Sequence, residues 1–310
     1  MPLVISASRR TDIPAFYSSW FVQRLKMGSV AVQQPYSGKI LRVSLKREDV
    51  SAIVFWSKNY SPLVDKLDAI EGTTKNLFFH FTISGARELE TSAPDYRDAI
   101  RDYVFLAVRY SPEQLVWRFD PICITDKLPF EVFEERFARC AELLKGYAQK
   151  CVISFVHPYK KVMTNLARYT DHRLVEVSTA QKRRHAGRIA EIAARYGIRI
   201  LACCNDNLVG DGVAKAACID GAFLSSLFNA PIDTRRASSR KECACTKSVD
   251  IGAYDTCAHG CVYCYATMDK ERARKSLSLH NPEWNSLRMD VPEEDDEKAQ
   301  QNIFCSNSQP

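Results

Sequence analysis

Short apolar runs alternate with amphipathic helical patterns along about the first 200 residues, and this alternation restricts the fold more than any other feature. Each apolar run is typical of a buried parallel strand, and most are followed by a pattern with helical spacing. The strand candidates are 3–7, 30–32, 52–56, 77–83, 115–119, 151–156 and 198–203. The helix candidates are 14–27, 61–71, 95–109, 130–144 and 178–196.

Strand–helix alternation of this kind predicts a parallel sheet with right-handed crossover connections. We therefore expect an α/β fold, and the strand candidates suit a (β/α) barrel of the TIM type, complete or partial, over residues 1–230. A doubly wound open sheet is the alternative. No G-x-G-x-x-G motif follows the first strand candidate, which disfavours a dinucleotide-binding fold.

Composition and charge narrow the class of protein. Hydrophobic residues make up 46% and charged residues 26% of the chain, as in ordinary globular proteins. The chain has no apolar run long enough for a membrane span and no signal-peptide pattern, so we expect a cytoplasmic protein with no membrane partner. The net charge of +6 permits an anionic ligand or nucleic acid without requiring either.

The twelve cysteines indicate metal or redox ligation, because disulfides are rare in the cytoplasm. Cys123, Cys140 and Cys151 lie in apolar runs, so we predict that they are buried core residues. Half of the twelve lie between Cys218 and Cys264. Metal chemistry is therefore expected in the C-terminal part of the chain.

Cys257, Cys261 and Cys264 form a C-x3-C-x2-C motif, which is the strongest candidate for a metal site. Three thiolates are one fewer than the four that close a structural zinc site or a fully ligated iron–sulfur cube. Such a site can leave one position open to a substrate or cofactor. Gly260 permits a tight turn between the first two thiols, and Tyr263 can form an aromatic wall beside a cluster.

The motif, with an aromatic residue just before its last Cys, resembles the cluster-binding loop of the radical S-adenosylmethionine enzymes. The string Thr256-Cys-Ala-His-Gly-Cys-Val-Tyr-Cys-Tyr-Ala is most similar to the spore photoproduct lyase-like branch. In that superfamily the loop follows the first strand of the barrel, whereas here it lies near the C-terminus. This arrangement, with the opening Ser8-Arg9-Arg10-Thr11-Asp12-Ile13-Pro14, resembles an uncharacterised bacterial family of unknown function. That family's C-terminal cysteines have been likened to the radical enzymes' loop, and the resemblance covers about residues 1–270.

The resemblance implies that the three thiols hold a [4Fe–4S] cluster whose fourth iron binds the amino and carboxylate groups of S-adenosylmethionine. It implies an enzyme in which the reduced cluster cleaves S-adenosylmethionine to methionine and a 5′-deoxyadenosyl radical, which abstracts hydrogen from a substrate. The expected partners are a small-molecule or nucleotide-like substrate and an electron donor such as flavodoxin or ferredoxin. No Gly-Gly pair matches the superfamily's Gly-Gly-Glu-like segment, so Tyr263 and Asn59 are the candidate cofactor contacts.

Polar side chains follow most strand candidates, at the strand ends where active sites of parallel barrels lie. The predicted catalytic residues at these ends are Arg9, Asp12, Lys58, Arg118 and Asp120. The basic residues can form a fork for a carboxylate or phosphate, and the acidic residues can bind a ribose or an ammonium group. Each can equally belong to a structural ion pair, so their joint occurrence is the better argument.

A second cluster is a weaker prediction. Cys243 and Cys245 form a C-x-C pair that, with Cys218, can hold a second iron–sulfur cluster, and Cys203 or Cys204 can add a ligand. The alternative is that these are unligated thiols in a polar loop.

The C-terminal third divides into two predicted segments. Residues 231–280 are expected to form a Cys-rich iron–sulfur segment packed on the barrel mouth. Residues 281–310 are expected to form a disordered polar tail, since they contain an acidic run and little periodicity.

Two other functions stay open. The cluster can serve a non-radical iron–sulfur sensor or electron-transfer protein. Alternatively, a zinc site completed by His259 or another Cys can stabilise a nucleic-acid-binding module. That module would use Arg183, Arg184, His185 and the basic region 234–247. The acidic tail opposes nucleic-acid binding, and typical zinc frameworks use paired C-x2-C or Cys/His halves, so iron–sulfur is favoured.

Overall fold

Strands and helices alternate through the structure, a computed structural model that describes residues 1–35, 37–237 and 241–292. The strands are β1 (Leu3–Ala7), β2 (Ser29–Gln33), β3 (Ile40–Ser44), β4 (Val50–Ser57), β5 (Leu77–Thr82), β6 (Leu115–Ile122), β7 (Lys150–Phe155), β8 (Arg199–Ala202), β9 (Val213–Lys215) and β10 (Val249–Asp250). The helices are α1 (Ile13–Phe16), α2 (Ser18–Met27), α3 (Ser61–Val64), α4 (Leu67–Glu71), α5 (Tyr96–Arg109), α6 (Phe130–Leu143), α7 (Lys160–Tyr169), α8 (Thr179–Ala194), α9 (Gly221–Phe228) and α10 (Lys270–Ser278).

Most of the strands belong to one 8-stranded sheet, in the order β10-β1-β4-β5-β6-β7-β8-β9. Every neighbouring pair in this sheet is parallel, which confirms the predicted α/β fold with a parallel sheet. The order follows the chain from β1 to β9, and β9 and β10 form the two edges. The carboxyl ends of β1, β4, β5, β6, β7 and β8 therefore meet along one side of the sheet.

The two faces of the sheet are buried in different cores, because successive side chains of a strand point to opposite faces. Phe79 and Trp117 belong to the larger core, which also contains the apolar sides of most helices. Phe78 and Val116 belong to a smaller core on the other face, together with Leu224 of α9. Since each fully buried side chain of this size contributes about 1.5–3 kcal/mol, both faces favour apolar residues. Polar groups are then concentrated at the strand ends.

The segment 30–32 forms a strand as predicted, but this strand lies outside the main sheet. It belongs to β2, which pairs antiparallel with β3 in a separate 2-stranded sheet. The sequence pattern does not predict the edge strands β9 and β10. They are only 3 and 2 residues long, which is too short for a periodic pattern.

Local sequence signals set several helix ends. Ser178 and Gln181 form the predicted capping box at the start of α8, and both of its hydrogen bonds are present. Asp12 caps α1 by accepting a hydrogen bond from the Ala15 N–H. These caps show that short sequence patterns predict the start of a helix well.

The cysteines of the apolar runs are core residues. Cys123 and Cys151 are 0% exposed and Cys140 is 2% exposed, which confirms their predicted burial. Burial raises the pKa of the Cys123 thiol to about 12 and that of the Cys140 thiol to about 12. These thiols therefore stay protonated and pack as small apolar groups.

The C-terminal segment packs against the beginning of the chain. β10 pairs with β1, and the Asn285 carbonyl accepts a hydrogen bond from the Ala31 N–H. Leu287 is 4% exposed. Residues 281–292 belong to the segment predicted as a disordered tail, and they lie against the core. Residues 293–310, which contain the acidic run, lie outside the described residues.

The described helices are too short to span a membrane. A transmembrane helix needs about 20 predominantly apolar residues. The longest described helix, α8, has 16 residues. In the ranges that the structure describes, no helix is long and apolar enough to cross a membrane.

Candidate functional site

A cavity of about 660 Å³ lies at the carboxyl ends of the parallel strands. This volume is within the range of about 300–1,000 Å³ that small-molecule sites occupy. Strand ends, the loop that carries the C-x3-C-x2-C motif and a second group of cysteines surround it. Its lining includes Arg9, Arg10, Asp12, Trp56, Lys58, Arg118, Asp120, Cys203, Cys204, Cys218, Cys243, Cys245, Cys257, His259, Cys261, Tyr263 and Cys264.

Cys257, Cys261 and Cys264, called the motif thiols, all face this cavity. Burial raises the pKa of the Cys257 thiol well above its ordinary value, and the negative charges of Asp12 and the two other motif thiols act in the same direction. Burial likewise raises the pKa of Cys261, against the opposing effect of Lys58. The Cys257 and Cys261 thiols therefore favour their protonated form until a metal replaces the protons.

The loop of the motif thiols turns sharply at Gly260. This residue has a φ of +70°, a backbone conformation that residues with a side chain rarely adopt. A Cβ added to it would lie 2.3 Å from Thr91 Oγ1. Two residues later, the Val262 N–H donates a hydrogen bond of 2.9 Å to the Leu89 carbonyl. Glycine is therefore required at the turn, and the loop is attached to the segment after β5.

His259 ties the same loop to the ends of β1 and β4 through Asp12. His259 Nε2 lies 2.7 Å from Asp12 Oδ2, and its Nδ1 lies 3.3 Å from the Ser92 carbonyl oxygen. Asp12 Oδ2 also accepts the Lys58 N–H, and Oδ1 accepts the Ser57 hydroxyl besides the capped N–H of α1. Both Asp12 oxygens are thus occupied by the protein. The predicted catalytic Asp12 is better placed for positioning the loop than for binding a ligand.

A buried ion pair lies beside the motif thiols. Lys58 Nζ is 3.0 Å from Glu90 Oε1, and the Tyr263 and Ser84 hydroxyls donate to the same oxygen. Burial alone would lower the pKa of Lys58, but the Glu90 carboxylate, helped by Cys261, outweighs burial and raises it. A permanent positive charge is therefore held next to the cysteine loop.

Arg118 and Trp56 form the centre of the cavity wall. Arg118 makes a bidentate contact with Asp120, at 2.6 Å for Nη2–Oδ2 and 3.1 Å for Nε–Oδ1, so the predicted anion fork is already filled by a carboxylate. Its guanidinium carbon lies 5.2 Å from the Trp56 ring, which stacks on His80 with centroids 4.1 Å apart. His80 Nε2 lies 2.7 Å from the Cys218 carbonyl oxygen. Burial, together with the Arg118 charge, lowers the pKa of His80 to about 3, so this predicted core histidine is neutral.

Asp250 is a site residue that the sequence did not indicate. It lies in β10 and accepts hydrogen bonds from the Arg9 N–H at 2.8 Å, the Ser8 hydroxyl at 2.6 Å and the Ser6 hydroxyl at 3.0 Å. The Nε atoms of Arg9 and Arg10 lie 3.7 and 3.8 Å from its oxygens. The two arginines at the end of β1 are therefore oriented by a residue about 240 positions away, which no local pattern could reveal.

Cys203, Cys204, Cys218, Cys243 and Cys245, called the inner thiols, line another part of the same cavity. The Sγ atoms of Cys203 and Cys218 are 3.2 Å apart, and those of Cys203 and Cys204 are 3.9 Å apart. Hydrogen bonds from Cys203 and Cys245 hold the pKa of the Cys218 thiol well below its ordinary value. The predicted trio Cys218, Cys243 and Cys245 is thus joined by the thiols at the end of β8.

Most of the predicted site residues meet in the cavity, but one does not. Arg9, Lys58, Arg118, Asp120 and Tyr263 all line it, as strand-end placement predicted. Asn59, the other predicted cofactor contact, lies off the described lining of the cavity. Its side-chain oxygen instead accepts the Ser61 N–H at 3.1 Å, at the start of α3.

The cysteine and histidine side chains at the cavity suit some kinds of metal site better than others. In the described part of the chain, no group of three or more His, Cys, Asp or Glu side chains is arranged to hold a metal ion. The motif thiols are nevertheless the type of ligand that a [4Fe–4S] cluster uses. Each thiolate of a cube binds a different iron, so the three sulfurs need not converge on one point. The zinc alternative takes its fourth ligand either from His259, whose two ring nitrogens are both hydrogen-bonded, or from another Cys.

A model of a protein family described as a domain of unknown function, DUF1848, matches residues 4–266. The chain belongs to this family. No curated protein matches this DUF1848 chain. Among solved structures, a proposed alpha-L-fucosidase from Bacteroides thetaiotaomicron VPI-5482 is similar at 9% identity, over 65% of this chain and 93% of that chain. Its TM-score is 0.24, so the likeness carries no argument about fold or function.

Proposed function

We propose that this protein is an iron–sulfur enzyme of the radical S-adenosylmethionine type, in which the motif thiols hold a [4Fe–4S] cluster. One observation carries the proposal: all three motif thiols face a cavity of about 660 Å³ at the strand ends. Three thiolates leave one iron of a cube for S-adenosylmethionine. When bound, the cluster and S-adenosylmethionine supply a one-electron cleavage that yields a 5′-deoxyadenosyl radical, while the protein supplies orientation and a dry pocket.

The residues around the motif thiols have distinct parts in this proposal. Asp12 and His259 fix the loop against the strand ends, so the thiols keep their direction. Lys58, held by Glu90, places a positive charge beside Cys261 that favours its thiolate. These contacts hold the loop in place before any cofactor binds.

We infer further that the sheet is a partial (β/α) barrel. Its strand order follows the chain from β1 to β9, whereas a doubly wound sheet reverses direction at a switch point. The face opposite the larger core carries a smaller apolar core, in which α9 and inner thiols pack against the strands. The segment 231–280 then lies across the mouth and brings the motif thiols to it.

The charges at the cavity favour a polar substrate. Arg9 and Arg10 lie at the end of β1 and retain partial exposure, with 26% and 18% of their side chains accessible. Trp56 adds an aromatic wall, with its ring 5.9 Å from the Arg9 guanidinium and 5.2 Å from that of Arg118. A small-molecule or nucleotide-like substrate with an anionic group suits this lining. Flavodoxin or ferredoxin is the proposed electron donor, in the cytoplasm.

The proposal is tested by anaerobic reconstitution of the full chain with iron and sulfide. We expect the visible absorbance of an iron–sulfur cluster, and 5′-deoxyadenosine formation after addition of dithionite and S-adenosylmethionine. The triple variant Cys257→Ala/Cys261→Ala/Cys264→Ala should lose about four irons per chain and all 5′-deoxyadenosine formation. Cys151→Ala is the control, because Cys151 is a buried thiol that lies in β7, inside the larger core.

Two results would overturn the proposal in different ways. A triple variant that keeps its full iron content and activity would show that the motif thiols do not bind the cluster. A wild-type protein that holds the cluster but forms no 5′-deoxyadenosine would be a non-radical iron–sulfur protein. The nucleic-acid alternative has less support, because Arg183 donates to the Asn207 carbonyl and the His185 ring stacks on Phe130 at 3.7 Å.

A further inference from the structure

The inner thiols come from three separate parts of the chain and meet on the inner face of the sheet. Cys203 and Cys204 follow β8, Cys218 follows β9, and Cys243 and Cys245 belong to the segment before β10. Cys218, Cys243 and Cys245 are 7%, 8% and 4% exposed and belong to the smaller core. Convergence of five thiols from distant segments is not needed for packing, for which aliphatic side chains suffice.

Several inner sulfurs lie in hydrogen-bonding contact with one another, and in the described residues they are not arranged around a common point that could hold a metal ion. Cys203 Sγ and Cys218 Sγ are 3.2 Å apart and share a hydrogen bond. Cys204 Sγ lies 3.9 Å from Cys203 Sγ, and Cys245 is hydrogen-bonded to Cys218. Because metal binding to thiols releases protons, a metal can replace these hydrogen bonds while the sulfurs separate slightly.

N–H groups also point at the inner sulfurs. Arg118 Nη1 donates to Cys218 Sγ at 3.3 Å, and the Ile219 N–H donates to Cys245 Sγ at 3.5 Å. Hydrogen bonds to the sulfurs are one of the means by which proteins tune thiolate-bound clusters. A motif thiol has the same kind of contact, from the Ala266 N–H to Cys264 Sγ at 3.3 Å.

The backbone at Cys204 is held in an uncommon conformation. Its φ is +50°, in the left-handed region that non-glycine residues rarely adopt. Such residues cost about 1–3 kcal/mol and cluster at functional sites. Here the conformation brings consecutive cysteines, Cys203 and Cys204, to the same cavity.

From these observations we propose that the inner thiols form a second metal centre, ligated by the thiolates of Cys203, Cys218 and Cys245, with Cys204 and Cys243 beside them. The soft sulfur donors select a thiophilic metal, either iron in an iron–sulfur cluster or zinc. This centre shares the cavity with the motif thiols but uses none of them. The proposal of this centre therefore does not depend on the proposed radical function at the motif thiols.

The test separates the two groups of thiols in the full-length chain. The triple variant Cys257→Ala/Cys261→Ala/Cys264→Ala is purified anaerobically, and its iron, zinc and acid-labile sulfide are measured per chain. We expect this variant to keep metal, and Cys218→Ala added to it to remove that metal. Iron with sulfide identifies a cluster, and zinc without sulfide identifies a zinc site; both support the centre.

A second pair of variants protects the test against loss of folding. Cys218 is buried, so Cys203→Ala, at a partly exposed position, is measured in the same background and should also lose the metal. Cys140→Ala, a core thiol in α6, is the matched control and should keep it. Circular dichroism spectra compare the folds of all variants.

Two outcomes would overturn this centre. In one, the triple variant holds no more metal than a chain that lacks the motif and inner thiols together. In the other, the anaerobic protein lacks the mass of two hydrogen atoms and peptide mapping links Cys203 to Cys218, which would make them a disulfide pair. Failure of the proposed radical function would leave the metal content of the triple variant unchanged, so the two proposals fail separately.

Discussion

The motif thiols and the inner thiols share one cavity but are held in different ways. The motif thiols lie on a loop that other parts of the chain fix from outside, through Asp12, Glu90 and the Leu89 carbonyl. The inner thiols contact one another directly, with Cys203 Sγ and Cys218 Sγ 3.2 Å apart. The first group depends on distant anchors, whereas the second depends on its own sulfurs.

This difference predicts where each group is vulnerable. Loss of an anchor should release the cysteine loop without disturbing the inner thiols, because the contacts described for the anchors are to the loop, the strand ends and the start of α1. Loss of one inner thiol should affect its sulfur neighbours and leave the loop in place. Variants at the anchors therefore test the comparison directly.

The largest effect is expected for Asp12→Ala. This change leaves His259, the Ser57 hydroxyl and the Lys58 N–H without their buried acceptor, which should lower the free energy of unfolding by about 3–5 kcal/mol. Denaturant unfolding measures this loss, and iron analysis should show less iron at the motif thiols. Asp171→Ala is the control, since that carboxylate is 77% exposed and its loss should leave the free energy of unfolding near the wild-type value. An Asp12→Ala protein as stable as its control would show that the loop does not depend on this anchor.

A smaller loss is expected for Glu90→Gln, which leaves the Lys58 ammonium buried without its counter-charge. The free energy of unfolding should fall by about 1.5–3 kcal/mol. Adding Lys58→Met removes the unpaired charge, so the double variant should be more stable than Glu90→Gln alone. A double-mutant cycle from urea unfolding measures the coupling. Additive losses would mean that the two side chains act independently.

The turn of the loop is tested by Gly260→Ala against Gly197→Ala. The two glycines have φ values of +70° and +73°, but only at Gly260 does an added Cβ meet Thr91 Oγ1, at 2.3 Å. Gly197→Ala should cost about 1 kcal/mol for the backbone, and Gly260→Ala about 1–3 kcal/mol more from overpacking. Thermal unfolding measures both, and iron retention should decrease only for Gly260→Ala. Equal losses of stability in the two variants would show that a Cβ at position 260 makes no costly contact.

The smallest effect is expected for Tyr265→Phe. The Tyr265 hydroxyl donates to the Arg9 carbonyl at 2.8 Å, but the residue is 37% exposed. Since water replaces an exposed hydrogen bond, the free energy of unfolding should change by about 0.5 kcal/mol. Chemical denaturation resolves such a change when compared with wild type in parallel. A loss as large as that of Glu90→Gln would make this surface contact another anchor of the loop.

Patterns in the sequence were sufficient for the general fold because its signals are local. Helical spacing and the capping box at Ser178 predict helices from a few neighbouring residues. Membership of a sheet is not local, so the segment 30–32 was recognised as a strand but assigned to the wrong sheet. The strand β10 has only two residues, and its place beside β1 depends on Asp250 and its distant partners.

The site was predictable to a similar extent. The rule that active-site residues follow parallel strands brought Arg9, Lys58 and Arg118 to one cavity. Whether a charge is available to a ligand depends on its partner, and Lys58 is paired with Glu90 from another segment. Asn59 shows the limit of the rule, because it follows a strand and yet its side chain accepts a backbone N–H at the start of α3.

The pairing of β1 with β10 has a consequence for how the protein matures. Residues 3–7 leave the ribosome first, but their neighbours at 249–250 and the cysteine loop after them are synthesised only near the end. The nascent chain thus carries an incomplete sheet edge through most of translation, and the cavity closes only afterwards. Metal insertion at the motif thiols must therefore follow synthesis, which makes it a separate step that a cell can time.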